Sequence, residues 1–474
     1  MFANQFQIRF FSFTHVFLPF LLIYHKNVYI YTLEDNFFIT TKYFIDICPS
    51  RCYYHIERYK CIDIYELLTK RRRFNMKDKN KVLLILGLMA FLANGDNYAA
   101  APLIINIARD LNLTISTAAI SVTAYMLSFG VFTLLFGPLS DRFGKVKIIN
   151  IAAFGTAIFS ILGATAFNLP SLITFRMMNG IFAAGIFPVT MALVGESFDD
   201  DNRHKALGKV MGLMFLGGAT ATAIGGTLAY MGSWRFVYLI YGIGELILAS
   251  VMFKVLERDK AVVEKLNIIG TYKKVLTNYS FMRLTLMIFF VGFTVFGSFT
   301  YSGQLVQEII GFNLLIVGLI LSLFGIGTVL GGKIAPNLRQ KLKNNFLVFA
   351  GLLGFFALNS LGYLTNIYVL GISFIAFGIA FIFLQSTLIG TAQEMLPQMK
   401  GTAMSIASFN MFVGGAVGTS VNGMIMESYG VTQIFKNASF IMLFVGLIIS
   451  ILVAKFKKRA VPRVQKTTVK ENSN

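Results

Sequence analysis

From residue 76 onward the chain alternates between long apolar runs and short polar ones. The apolar runs fall at about residues 82–107, 116–137, 147–167, 171–195, 207–231, 235–256, 284–303, 312–333, 345–363, 367–391, 401–424 and 436–455. Each approaches or exceeds the roughly 20 residues that carry a helix across a bilayer. Lipid offers no partner to a backbone N–H or C=O, so each run is predicted to be a helix. The longest polar interruption, 257–283, divides the runs six and six. The pattern predicts an all-α integral membrane protein of twelve transmembrane helices in two pseudo-symmetric six-helix halves. The first half takes residues 76–256, a cytoplasmic linker 257–283, the second half 284–456 and a basic cytoplasmic tail 457–474.

Charge placement orients the helices. With Met76 inside, one set of loops carries Lys77, Lys79 and Lys81, then Arg142, Lys145 and Lys147, then Arg203, Lys205 and Lys209. The same side takes the basic linker, Lys333, Arg339, Lys341, Lys343, Lys400 and the tail, whereas the opposite loops hold Arg109, Arg235 and Lys436. Short cytoplasmic loops collect Lys and Arg, so both termini are expected in the cytoplasm of a multi-pass protein of a bacterial cell membrane. Composition agrees: 56% of residues are hydrophobic and 14% charged, against about 25% charged in soluble domains. The net charge of +20 therefore reads as topology rather than as a nucleic-acid surface. No metal-binding or disulfide pattern, no nucleotide-binding loop and no nucleophile–base constellation is present, so neither an enzyme nor an ATP-driven pump is expected within the chain, and no cofactor.

Residues 1–75 have a different composition. None of the 42 Gly lies there, but all three Cys do (Cys48, Cys52, Cys61), with His15, His25 and His55 among many Phe, Tyr, Ile, Lys and Asn. Such a composition is what A/T-rich DNA gives when translated without selection for folding. Lys70, Arg71, Arg72 and Arg73 stand where a purine-rich ribosome-binding site would precede a start at Met76. The expectation is that 1–75 is a non-native or disordered extension and that Met76 is the true start. The rival reading is a genuine extension with an extra anchor at 10–24.

The turn after the second apolar run runs from Gly137 through Leu139, Asp141, Arg142, Gly144 and Lys145 to Lys147. Gly137 and Gly144 permit a tight reversal, and Asp141 suits a helix end. This turn resembles the loop signature of the major facilitator superfamily, Gly-x-Leu-x-Asp-Arg-x-Gly-Arg/Lys-Lys. In the second half, Gly332, Lys333, Asn337, Arg339 and Lys341 make a weaker echo at the equivalent place, with Pro336 where the first half has Asp141. The resemblance implies two related halves that rock about a site at the midplane. It also implies that Asp141 docks at the start of the eleventh span near Lys400, Gly401 and Thr402 as a cytoplasmic gate.

Intramembrane polar residues are costly and mark function by default. Arg176, Asn179, Gly180, Ala183 and Ala184 in the fourth span resemble the superfamily's Arg-x-x-Gln-Gly-x-Gly-Ala-Ala motif, whose Arg is linked to proton transfer. Arg176 either faces the bundle interior or snorkels to the outer interface. In the first span, Asn94, Asn97 and Tyr98 share a helical face while Asp96 points nearly opposite Asn94. Asp96 is either a proton site or a structural acid bonded to a neighbour. Glu245 in the sixth span either titrates or packs as a neutral acid. Span five places Gly217, Gly225 and Gly226 like the superfamily's antiporter motif, with Ala221 and Thr222 where that motif has Gly-Pro. Gly217, Ala221 and Gly225 form a small-residue ridge for close helix contact. Trp234 and Arg235 follow, as an interface anchor or a substrate contact. Gln385, Asn410 and Asn422 either line a cavity or bond helix to helix.

The function expected from this resemblance is secondary active transport: proton-coupled efflux of small amphipathic or cationic compounds, as in the drug:proton antiporter branch. The substrate and proton pathway is assigned to Asp96, Asn97, Arg176 and Glu245, and the gate to Gly137, Asp141, Arg142, Gly144 and Lys145. The partners are a small-molecule substrate, protons and the bilayer, with the protein acting as a monomer. The alternatives are a metabolite importer and a non-transporting receptor or scaffold on the same fold.

Overall fold

A computed structural model describes residues 28–33, 36–41, 76–198, 200–257, 268–311, 314–397 and 399–471. The chain divides between residues 80 and 81 into two compact units. In the first, β1 (Val28–Leu33) and β2 (Asn36–Thr41) pair antiparallel, with Val28 opposite Thr41 and Leu33 opposite Asn36. Their Val, Ile, Tyr, Phe and Thr are the residues that fit a pleated surface. Apart from this hairpin, the sequence expectations for 1–75, including the anchor at 10–24, lie outside the described residues.

From Met76 the described chain is helical, and twelve of its helical segments have the length and apolarity to cross a membrane. The first half contains α1 (Met76–Asp110), α2 (Ile115–Phe143), α3 (Lys145–Ala164), α4 (Leu169–Ala183) with α5 (Phe187–Ser197), α6 (Asp200–Met231) and α7 (Trp234–Val255). The linker holds α8 (Ile268–Leu276). The second half contains α9 (Tyr279–Phe299) with α10 (Ser302–Ile310), α11 (Leu314–Leu342), α12 (Phe346–Tyr363), α13 (Ile367–Met395), α14 (Lys400–Tyr429) and α15 (Val431–Glu471). Caps set several starts: Thr114 accepts from Thr117 N–H, Asn168 and Ser171 form a capping box, and Ser233 accepts from Arg235 N–H, each satisfying an otherwise unpaired donor.

The two halves repeat one packing scheme. In the first, α2 packs on α4 and α3 on α7, while Gly217 and Gly225 bring α6 onto α1. In the second, α11 packs on α13, α12 on α15 and α9 on α14. A side chain at Gly217 would drive into the carbonyl of Phe91, and one at Gly414 into the carbonyl of Phe289, the equivalent contact. Close backbone approach through small residues is how helices associate where lipid is as apolar as the protein. The halves meet through α2 with α14 and α6 with α11, again a symmetric pair.

Five details depart from the sequence reading. The fourth span is broken at 184–186, because the ring of Pro188 conflicts with the carbonyl four residues back; Gly185 and Ile186 instead bond three residues back, to Phe182 and Ala183. The seventh span is broken at Thr300 and Tyr301, whose side chains bond to Thr419 of α14. The linker contains α8, and Tyr272 there donates to the carbonyl of Leu134 at 2.7 Å. The eighth span does not end at 333: α11 runs on through Pro336 to Leu342, and α15 continues through the expected tail to Glu471.

Candidate functional site

A cavity of about 740 Å³ lies between the two halves. Asn94, Asn97 and Tyr98 of α1 line it and Asp96 does not, as the helical spacing requires. Aromatic rings make much of the wall. Phe296 stacks on Phe412 with centroids 5.4 Å apart and meets Phe381 at 5.9 Å. Gln385 lines the cavity, its amide on the sulfur of Met411, while Asn410 is spent on its own helix, donating to the carbonyl of Ile406. Breaking the fourth span gives Ala183, Ile186, Phe187 and Pro188 to the same wall.

The cavity opens toward the end that carries the basic loops. There a Cβ added at Gly208, Gly212 or Gly332 would meet nothing within 4 Å. Toward the other end α6 and α11 touch, and a Cβ at Gly226 would come within 2.8 Å of the Gly318 backbone. Tyr98 seals against Phe296 and Phe299, at 6.0 and 5.8 Å between centroids. Beyond it Thr123 meets Ser420 at 3.4 Å and Thr114 donates to Glu427 at 3.3 Å.

Beside the cavity, inside the first half, sits a buried ionic group. Arg176 is 1% exposed and Asp96 and Glu245 are 0% exposed, which excludes a snorkelling arginine. Arg176 Nη1 lies 3.3 Å from Asp96 Oδ2 and 3.4 Å from Oδ1. Ser160 and Asn179 approach the same carboxylate. Tyr125 and Tyr238 flank the guanidinium, with ring centroids 4.4 and 5.1 Å from its carbon, an arrangement that stabilises a desolvated cation. Glu245 feels the charges of both Asp96 and Arg176, and neither of its oxygens has a hydrogen-bond partner. The residues assigned from sequence to one pathway therefore divide. Asn97 lines the cavity, whereas Asp96, Arg176 and Glu245 gather behind it, and Tyr125 belongs to both. Tyr125, Tyr238 and Ser160 were missed in the sequence, where no local pattern separates them from packing residues.

At the basic end Gly144, at φ 92°, joins α2 to α3. Lys145 is 1% exposed and bridges Asp141 at 3.3 Å and Glu196 at 3.0 Å. Asp141 thus pairs within its own turn, rather than at the expected Lys400–Thr402 start of α14. Gly137 does reach α14, where a Cβ would lie 3.4 Å from Ser405 Oγ. Arg142 is exposed and lies over Phe143. Trp234 is neither an interface anchor nor a cavity residue; it is buried, and it and Arg235 both donate to Asp110.

The charged residues among those lining the cavity are Lys333 and Arg339, which the sequence reading had placed in a loop. For Arg339 the signal was a stripe of small or polar residues at helical spacing, Thr328, Gly332, Ala335, Pro336 and Arg339, that carries on past the end of the apolar run. Of the small amphipathic or cationic compounds expected from the sequence, a cation would meet two like charges in this lining.

Two six-helix halves around a cavity open at one end define a membrane transporter. The Major Facilitator Superfamily profile matches residues 86–419, and the chain belongs to that family. The uncharacterized MFS-type transporter YceJ of Bacillus subtilis (strain 168) is 23% identical over 358 residues, 74% of this chain and 90% of that protein. The methylenomycin A resistance protein of the same organism is 31% identical over 193 residues, 40% of this chain and 41% of that one. The inward-facing, unoccupied crystal structure of a bacterial homolog of the human lysosomal transporter Spinster superposes with a TM-score of 0.65 at 15% identity, covering 80% of this chain and 96% of that one.

Proposed function

We propose that the protein is a proton-coupled exporter of small amphipathic compounds, working as a monomer by alternating access in a bacterial cell membrane with its basic end and both termini in the cytoplasm. The observation that carries this reading is the buried Asp96–Arg176–Glu245 group, separated from the cavity by the ring of Tyr125. Asp96 pairs with the guanidinium and Glu245 acts on both through its charge, so the group is neutral with one proton bound and carries −1 without it. Burying net charge costs several kcal/mol, so gain or loss of that proton shifts how Arg176 and Tyr125 sit against the cavity wall. Substrate enters the inward-open cavity. A proton arriving from outside neutralises the group and one leaving inward resets it, each charge supplying about 2.3 kcal/mol per 100 mV of membrane potential. Closure at the basic end moves the turn at 137–147 against the start of α14, where Asp141 exchanges Lys145 for the helix N-terminus. The methylenomycin A resistance protein supports the export direction.

The test is retention of fluorescent amphipathic dyes of either charge by bacteria that lack their own pumps and express the full chain, with and without a protonophore. Dye loss that the protonophore abolishes, and that disappears in Asp96→Asn, is expected. Dye loss indifferent to both would overturn proton coupling through this group. No dye loss, with the protein present in the membrane, would favour the second reading, a metabolite importer, which Ala221 and Thr222 in place of the antiporter Gly-Pro already support.

A further inference from the structure

The charge of the cavity is one-sided. Among its described lining residues are two cations and no carboxylate, while the acids Asp96 and Glu245 lie behind it, beside Arg176. Lys and Arg at this end serve topology in general, but Arg339 is more than a loop marker. It lies inside α11, half-buried, with Nη2 donating to Thr387 Oγ1 at 2.6 Å and to Ser386 Oγ at 3.4 Å. Its guanidinium carbon sits 5.3 Å from the Phe346 ring centroid. The Thr387 hydroxyl donates its own hydrogen bond to the carbonyl of Phe383, so it holds the guanidinium without neutralising it. Arg339 Nε is buried with no hydrogen-bond partner. The field of Glu394 reaches Arg339, yet no ion pair forms on it among the described residues. Lys333 stands six residues earlier on α11, about 9 Å along the axis, on the wall of the same cavity.

A guanidinium fixed by neutral hydroxyls, with donors to spare, suits a carboxylate or other oxyanion. Deeper in, Phe296, Phe381 and Phe412 offer an apolar surface for a ring. We propose that the cavity takes a small amphipathic anion, an aromatic carboxylate in its simplest form, with the carboxylate on Arg339 and Lys333 and the ring against Phe296, Phe381 and Phe412. This rests on the reading of the cavity as the transport site. Enclosure and the aromatic wall select for size and hydrophobicity; the two cations select for sign.

The test is equilibrium dialysis of the purified full-length protein, in uncharged detergent, against three probes that share a ring. They are 1-naphthylacetate, neutral 1-naphthaleneacetamide and 1-naphthylmethylammonium. The carboxylate is expected to bind at least tenfold tighter than the amide and the ammonium more weakly than either, with the gap narrowing as salt rises. Arg339→Gln brings carboxylate and amide together, and Arg339→Lys, which keeps charge but loses the planar fork, restores part of the gap. Lys333 is exposed, so Lys333→Gln leaves folding intact and lowers carboxylate binding by a smaller factor, even where Arg339→Gln does not fold. Ammonium binding as tight as carboxylate binding, no binding of any probe, or a preference surviving both Gln variants overturns the proposal. The assay needs no proton gradient. Failure of protonophore-sensitive efflux alone would leave the anion site standing, and loss of the anion preference alone would leave proton coupling standing.

Discussion

Asp96, Arg176 and Glu245 come from three helices and share one buried site. Removing one partner of a buried pair costs about 3–5 kcal/mol, and here the pair is Asp96 with Arg176, while Glu245 acts on both through its charge. Glu245→Gln leaves Arg176 its Asp96 pair, Asp96→Asn leaves it only the field of Glu245, and the double variant leaves it no carboxylate. A double-mutant cycle on thermal unfolding of the purified protein is expected to show coupling of about 1–3 kcal/mol, the double variant being worse than the sum of the singles. Coupling near zero would show that Glu245 stands apart. The sequence exposes all three as polar residues in apolar runs, because lipid makes such residues expensive. It does not expose their pairing, since 80 residues separate Asp96 from Arg176. Nor does it single out Tyr125, whose ring is one of many in apolar runs until the fold sets it over a guanidinium.

Among the elements, the reversal between α2 and α3 depends on Gly144, whose φ of 92° suits no L side chain. Asp141→Asn is expected to lower transport at least tenfold with membrane abundance unchanged, measured as substrate flux beside quantified surface protein, whereas Gly144→Leu, strained at this φ, is expected to lower both. Unaltered flux would remove the turn from the gate. The linker, read from sequence as a polar interruption, contains α8, tied to α2 by Tyr272. Burial pushes the Tyr272 phenol up to about 12, so it remains a donor at physiological pH. Tyr272→Phe gives up about 1 kcal/mol and is expected to speed proteolysis within 257–283; an unchanged cleavage rate would deny α8 a tethering role. The breaks in the fourth and seventh spans were not legible as run lengths, because hydropathy counts apolar residues and is blind both to the carbonyl that Pro188 displaces and to the bonds that tie Thr300 and Tyr301 to Thr419.

Across the whole molecule the contact between α6 and α11 changes from touching at Gly226 and Gly318 to open at Gly212 and Gly332. If these helices close at the basic end during transport, a bulky residue at Gly332 is harmless in the form described and obstructive in the other. Gly332→Leu is therefore expected to fold normally but not transport. A Ser386→Cys reporter, with Cys48, Cys52 and Cys61 changed to Ser, should then stay reactive to a thiol reagent applied from the basic side. Gly318→Leu is expected instead to lower folded yield, since its Cβ meets the α6 backbone at Thr222 and Gly226. Normal transport by Gly332→Leu would show that this end does not narrow there.

By itself the sequence determined the number of spans, their division into two halves, the family and which α1 residues share a face. Those follow from local constraints: backbone hydrogen bonds in lipid demand uninterrupted helix, loop charge follows topology, and 3.6-residue periodicity sets which side chains share a face. Only the tertiary structure decided which buried charges pair, which end of the cavity is open and what charge the cavity presents. Arg339 shows why. In sequence it is one more basic residue near a span end, but α11 continues past Pro336 and carries it onto the cavity wall, where residues almost fifty positions away hold it in place.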